Sequence, residues 1–143
     1  MHHHQLSQDT ARMLMTRAPV TAAVDDSLLD AAARMTYRGI RHLPVVDGDR
    51  RVVGMLSDRD VRTVVGDTSR PLHHTDAVVR IRAMRVADAM TRGAYVIDQN
   101  ATFADVVKVF TDHRIGAIPV VDEGGHLQGL ISYVDVIKNA DAL

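Results

Sequence analysis

Cysteine and tryptophan are absent from this 143-residue chain, and phenylalanine and tyrosine together supply only five residues. Without cysteine there is neither a disulfide framework nor a thiolate metal site, which fits a cytoplasmic protein. With so few aromatics, the 46% hydrophobic content has to build an aliphatic, methionine-rich core. An excess of either charge is also missing: 17 Lys and Arg stand against 18 Asp and Glu, a net charge of −1. Proteins that bind a phosphate backbone carry a basic surplus, so this balance argues against nucleic acid as the main partner. No apolar run approaches the roughly 18 residues of a membrane helix, and no signal-peptide pattern opens the chain. The eight histidines lack ligand spacing. His2–His4 belong to a disordered or tag-like start at residues 1–10, His73 and His74 are adjacent, and His42, His113 and His126 are scattered, so no metal site is expected. There is no Gly-x-Ser-x-Gly elbow and no base evident for Ser57, so no catalytic activity is expected either.

What the chain does contain is itself, twice. A shift of 75 residues aligns 15–63 with 90–138 without a gap and gives fourteen identities in forty-nine positions. "MTR" opens both copies, "PVVD" sits in the middle of both, and "GMLSDRDV" (54–61) returns as "GLISYVDV" (129–136). Each copy reads β-α-β-β-α, an α+β pattern. A short β-rich piece (19–23; 95–97) precedes an amphipathic helix from Ser27 to Tyr37, with Leu28, Leu29, Ala32 and Met35 on one face, or from Thr102 to His113. Two strands follow around a tight turn: 43–46 and 52–56 flank Asp47-Gly48-Asp49, and 118–121 and 127–131 flank Glu123-Gly124-Gly125. The second helices run over 58–65 and 133–140. Residues 66–85 read as a surface loop and a short helix, with Arg80, Arg82 and Arg85 on a solvated face. Met13, Met15, Met35, Met55, Met84 and Met90 are expected to fill the core.

The Ser-x-x-Asp of Ser57/Asp60 and Ser132/Asp135 has two readings. It matches a capping box, and Ser27/Asp30 and Thr102/Asp105 repeat it at the other helix starts. Yet Ser57 and Ser132 follow strands directly, and Gly54 and Gly129 lie inside those strands, where glycine marks close approach of a backbone or a ligand. A helix N-terminus after a strand also suits an anion, and a carboxylate there can meet a ribose diol. The spacing leaves both readings open.

The double pattern Pro-Val-Val-Asp, then Gly-apolar-apolar-Ser-x-x-Asp, resembles a tandem pair of CBS domains, a Bateman module, from about Ala11 to Asp141. The resemblance implies two β-α-β-β-α repeats with pseudo-two-fold symmetry packed into one module, with repeat 1 over 11–68, a linker over 69–85 and repeat 2 over 86–143. It implies a cleft between the repeats that binds an adenosyl ligand, most often AMP, ADP or ATP and sometimes S-adenosylmethionine or NAD, with no covalent cofactor. It also implies a homodimer acting on a separate effector protein. By position, Asp60 and Asp135 take the ribose hydroxyls, with Ser57 and Ser132 near the ribose or α-phosphate. Val20, Thr21 and Ala22, and Tyr95, Val96 and Ile97, hold the adenine. Arg41 and His42, ahead of Pro44, reach phosphate, helped by Arg59; their counterparts ahead of Pro119 are Gly116 and Ala117. The copies are thus unequal, with one better phosphate site and one weaker or empty one. A rival reading keeps the capping and makes the module a dimeric interaction scaffold with a vestigial cleft.

Overall fold

Two parallel strand pairs and their hairpins organise the chain, seen in a computed structural model that describes residues 9–65 and 74–140, the latter with side chains from Ala77 onward. The terminal histidines, Gly66, Pro71 and His73, with the side chain of His74, lie outside the described residues. In order, the elements are α1 (Ala11–Leu14), β1 (Thr16–Arg17), β2 (Ala22–Ala23), α2 (Leu28–Arg38), β3 (His42–Val46), β4 (Val52–Ser57) and α3 (Asp58–Val65). There follow α4 (His74–Arg82), α5 (Val86–Ala89), β5 (Thr91–Arg92), β6 (Ile97–Asp98), α6 (Phe103–Asp112), β7 (Ala117–Val121), β8 (Leu127–Ser132) and α7 (Tyr133–Ala140). The expected β-α-β-β-α order is present in both copies. The leading strands are shorter than the composition suggested, and each copy gains a short helix and strand ahead of them.

Those short leading pieces do not stay with their own copy. The described residues form two bodies, one of Val20–Gly48 and Val53–Ala94, the other of the chain up to Pro19, Asp49–Val52 and the chain from Tyr95. In the first body the sheet order is β2-β3-β4-β5; in the second it is β1-β8-β7-β6. Thus β5, the "MTR" of the second copy, pairs antiparallel with β4, with Gly54 opposite Arg92 and Met55 opposite Thr91. Likewise β1, the "MTR" of the first copy, pairs with β8, Thr16 opposite Leu130 and Arg17 opposite Gly129. Asp9 and Thr10 also belong to ordered structure, the Phe103 N–H donating to the Asp9 carbonyl at 3.0 Å.

This exchange explains the strand glycines. A Cβ on Gly54 would lie 2.8 Å from the Thr91 carbonyl and 3.0 Å from the Met90 sulfur. One on Gly129 would lie 2.7 Å from the Thr16 carbonyl and press into the Met15 side chain. The close neighbour at each glycine is the crossing β5 or β1 backbone, and the methionine ahead of it fills the space a larger side chain would take.

Each body has its own aliphatic core. In the first, α2 buries Leu28, Ala31 and Met35 against Leu43, Val45 and Leu56 of the sheet, and Ile81 of α4 and Val86 of α5 close it. In the second, Ala11 of α1 packs with Phe103, Val106, Ile118, Val120 and Ile131. Each fully buried Leu, Ile or Val contributes about 1.5–3 kcal/mol over an exposed position. Met35, Met55 and Met90 are buried as expected, but Met13 is 68% exposed, because the single turn of α1 turns it away from Ala11. Helix α2 ends at Gly39, whose φ of 62° supplies the left-handed cap that returns its N–H to the Met35 and Thr36 carbonyls.

Candidate functional site

Sheet topology alone gathers the candidate residues at one end of each sheet. In the first body β2 runs parallel to β3, Ala22 opposite Val45, so Val20 and Thr21 arrive where β3 begins. The Asp58 N–H donates to the Arg41 carbonyl at 2.8 Å, which brings the end of β4 and the start of α3 to the same place. Thr21, Arg41, His42, Ser57, Arg59 and Asp60 therefore share one corner. The second body repeats the construction. β6 runs parallel to β7, Ile97 opposite Val120, Ser132 stands opposite Ala117, and the Tyr133 N–H donates to the Gly116 carbonyl at 2.9 Å. Val96, Gly116, Ser132 and Asp135 share that corner. Pro44 and Pro119 are fully buried, and Ala22 and Ile97 nearly so, so these four contribute core side chains and only main-chain groups to a corner.

The capping reading is realised at both corners, whereas at α2 the structure shows one bond of the box, the Asp30 N–H donating to Ser27 Oγ at 3.3 Å. The Ser57 N–H donates to Asp60 Oδ2 at 2.9 Å while the Asp60 N–H donates to Ser57 Oγ at 3.0 Å. In the second corner the same two bonds measure 2.8 and 3.2 Å. Thr102 and Asp105 form the same box at the start of α6, after the end of β6 that lies away from the second corner, at 3.1 and 3.2 Å. Capping uses only one oxygen of each aspartate, however, and a carboxylate has acceptor capacity for about four bonds. Asp60 and Asp135 are half-buried whereas Asp105 is exposed. What sets the two corner aspartates apart from an ordinary cap is this partial enclosure, with Oδ1 still able to accept.

The helix N-terminus offers less to an anion than the sequence pattern suggested. Within each corner three backbone donors of the first turn, those of Ser57, Asp58 and Asp60 or of Ser132, Tyr133 and Asp135, already have partners. Charge complementary to an anion would therefore come mainly from side chains. In the first corner these are Arg41 and Arg59, both exposed, and the half-buried His42. Burial is the main influence lowering the His42 pKa below 6.5, opposed by the charge of Asp60, with Arg41 lowering it further and Asp58 raising it. The ring is thus neutral at pH 7 and electrostatically linked to the aspartate of the box. Asp58 itself pairs with Arg62 at 3.0 Å, an exposed i,i+4 contact of about 0.3–0.5 kcal/mol.

One feature of the first corner had no signal in the sequence. Arg34 Nη1 of α2 donates to the Thr21 carbonyl at 2.6 Å and lies 3.7 Å from Asp26, which accepts the Ala23 N–H at 2.9 Å. This clamp fixes Thr21–Ala23 and occupies the Thr21 carbonyl. The corresponding residues of the second copy are Val109 and Ala101, so its leading strand has no such clamp. The second corner is instead aromatic. Tyr95 stacks on His113 at 3.8 Å between ring centroids and 24° between planes, and Tyr133 meets Phe110 edge-on at 6.1 Å.

Elsewhere, an open recess of about 380 Å3 lies at the opposite end of the second sheet, lined by Gln99, Asn100, Asp122, Glu123, Gly124 and His126. Its Asp122 carboxylate binds the backbone N–H of Gly124 and of His126, each at 2.9 Å, and the His126 ring at 3.0 Å. The His126 backbone bond is the leading cause that holds the Asp122 pKa below the usual carboxylate range. Among the described residues no group of three or more His, Asp or Glu is placed to hold a metal ion. None of their helices is long and apolar enough to cross a membrane.

Two sheets of this topology, each with a Ser-x-x-Asp corner, define a paired-repeat α+β module. The CBS domain family matches residues 11–67 and 86–141, and the chain belongs to that family. It is 26% identical over 126 residues to a CBS domain-containing protein of Dictyostelium discoideum, covering 88% of this chain and 87% of that protein. Other curated relatives are longer: the chain spans about a fifth of the inosine-5′-monophosphate dehydrogenases among them. Among solved structures, a CBS domain-containing protein of unknown function from Bacillus anthracis superposes with a TM-score of 0.84 at 19% identity, covering 96% of both chains. The protein CBSX2 in complex with AMP superposes with a TM-score of 0.80 at 22% identity, covering 94% of this chain and 98% of the other.

Proposed function

We propose that this protein is a regulatory module that binds an adenine nucleotide at its Ser-x-x-Asp corners and passes the bound state to a separate effector protein. The observation that carries this reading is the first corner. There a half-buried carboxylate with an oxygen to spare, Asp60, stands at the same sheet end as Arg41, His42 and Arg59. A diol meets the carboxylate and a phosphate meets the two cations, Arg41 and Arg59, with His42 a neutral neighbour. Capping needs none of the cations. That a protein of the same fold carries AMP supports the choice of ligand. In this reading the module is non-catalytic, cytoplasmic and homodimeric. Ligand alters its output only through unequal affinity for two arrangements of the protein.

The test is thermal melting with AMP, ADP, ATP, NAD and S-adenosylmethionine. A nucleotide at about 100 times its dissociation constant adds about 2.7 kcal/mol, and AMP, ADP or ATP is expected to give the largest rise. S-adenosylmethionine, being cationic, is disfavoured by Arg41 and Arg59. A second reading, the interaction scaffold, draws support from the complete capping boxes and from glycines that a crossing strand explains. A melting point unmoved by all five compounds would establish it in place of the first.

A further inference from the structure

The two corners share a backbone plan and differ in nearly every side chain that would face a ligand. At the positions where the first corner has Arg41, His42, Asp58 and Arg59, the second has Gly116, Ala117, Tyr133 and Val134. The nearby cations of the second copy, Arg114 and Lys138, replace Gly39 and Thr63 and so stand outside the positions from which the first corner offers its charge. What the second corner presents is apolar surface held open to solvent: Tyr95, Val96, Tyr133 and Val134 are each between 44% and 55% exposed. In a chain with three tyrosines, two stand at this one sheet end. Both are fixed by a second ring, Tyr95 by His113 and Tyr133 by Phe110, which leaves the remaining faces ready to receive a flat partner. The Asp135 carboxylate, half-buried beside them, keeps an oxygen for a diol as Asp60 does.

We infer that the second corner binds a nucleoside-class ligand without phosphate, its base stacked on Tyr133 and its diol on Asp135, while the first corner takes the phosphorylated nucleotide. This rests on the preceding reading of the Ser-x-x-Asp corners and assigns the second of them a ligand of its own. Aromatic faces are indifferent to which base they stack, and the carboxylate supplies the demand for a sugar. With Gly116 and Val134 where the first corner has Arg41 and Arg59, the corner gains little from a phosphate, and Asp135 repels one. A module built this way reports on two pools at once, charged nucleotide and uncharged nucleoside, with no competition between them.

Titration calorimetry on the full chain, with adenosine and AMP as probes, separates the possibilities. Protein saturated with AMP is expected to bind one further equivalent of adenosine. Tyr133→Ala is expected to weaken adenosine roughly 10-fold, the weight of one stacked base, and to leave AMP unchanged; Asp60→Asn does the reverse. Val134→Arg, a substitution at an exposed position that restores the cation found at Arg59, is expected to admit a second equivalent of AMP. The inference is overturned, with the nucleotide reading intact, if AMP binds but blocks adenosine, if AMP fills both corners of the unaltered protein, or if Tyr133→Ala leaves adenosine untouched. If neither compound binds, both readings fail together.

Discussion

Replacing Asp60 separates its capping role from the ligand role proposed for it, because the cap uses Oδ2 and leaves Oδ1 to accept. Asp60→Ala removes the acceptor of the Ser57 N–H, a half-buried bond of 2.9 Å. Losing such a cap costs about 1 kcal/mol, or about 3–4 °C in a chain of this size. The same variant removes the oxygen offered to the ribose. Asp60→Asn keeps a carbonyl oxygen for the cap and is expected to melt within about 1 °C of the unaltered protein, yet it loses the charge. Hydrogen bonds to a charged group contribute about 1.5–3 kcal/mol, so AMP is expected to bind roughly 30-fold more weakly. At an AMP concentration of about 100 times the original dissociation constant, stabilisation falls from about 2.7 to about 0.9 kcal/mol. Asp105→Ala is the control, since it breaks the same box, at 3.1 and 3.2 Å, on a helix start that is part of neither corner. It is expected to lower the apo melting point by a similar amount and to leave the AMP response whole. The assay is thermal melting of all four proteins with and without AMP. A full AMP shift in both Asp60 variants would refute the argument, and so would an equal loss of the shift in Asp105→Ala.

Gly129→Ala and Gly54→Ala are expected to cost about 1–3 kcal/mol each through overpacking, with Gly129 the worse, since the Met15 side chain and the Thr16 carbonyl both crowd its Cβ position; urea denaturation checks this. Arg34→Met should cost about 1 kcal/mol by releasing the Thr21 carbonyl from its 2.6 Å bond. If Thr21–Ala23 meets the base, AMP affinity falls as well, whereas Val109→Met in the unclamped copy leaves it alone. His42 has a folded-state pKa below 6.5 through burial, so the unfolded chain binds its proton first as the pH falls. Its contribution to stability is complete above pH 6.5 and is lost as the pH drops through the depressed value. His42→Asn is expected to flatten that part of the curve of melting point against pH.

How far the sequence could be read depended on whether a signal was local. The helix starts at Ser27, Ser57, Thr102 and Ser132, and the Gly-containing hairpin turns, announce themselves within a few residues, so the main helices and strands fall within about a residue of their expected bounds. Pairing across the copies was hidden by the repeat itself. Thr16 could lie beside Leu130 or beside its counterpart Met55 with the same local pattern, and only packing in three dimensions selects the former. Gly54 and Gly129 signalled close approach but not what approaches. In the corners, Ser57, Asp60, Ser132 and Asp135 were visible because their type and spacing are constrained. Arg34 was not, being one of fifteen arginines on the face of a helix thirteen residues from the carbonyl it holds. The pairing of Tyr95 with His113 was equally invisible, since stacking depends on two strands and a helix end meeting and has no fixed interval along the chain.

The crossed placement of the two "MTR" strands sets an order on synthesis. While the ribosome is still adding residues 66 to 90, the first sheet has a bare edge at β4, and only the emergence of Thr91 and Arg92 covers it. Asp9–Arg12 must likewise wait for residues 99–103, and β1 for β8, more than a hundred positions after it, before they find their partners. A nascent chain of this design carries β1 unclaimed through most of the module's elongation, and severing it midway yields two fragments that each hold the other's missing strand.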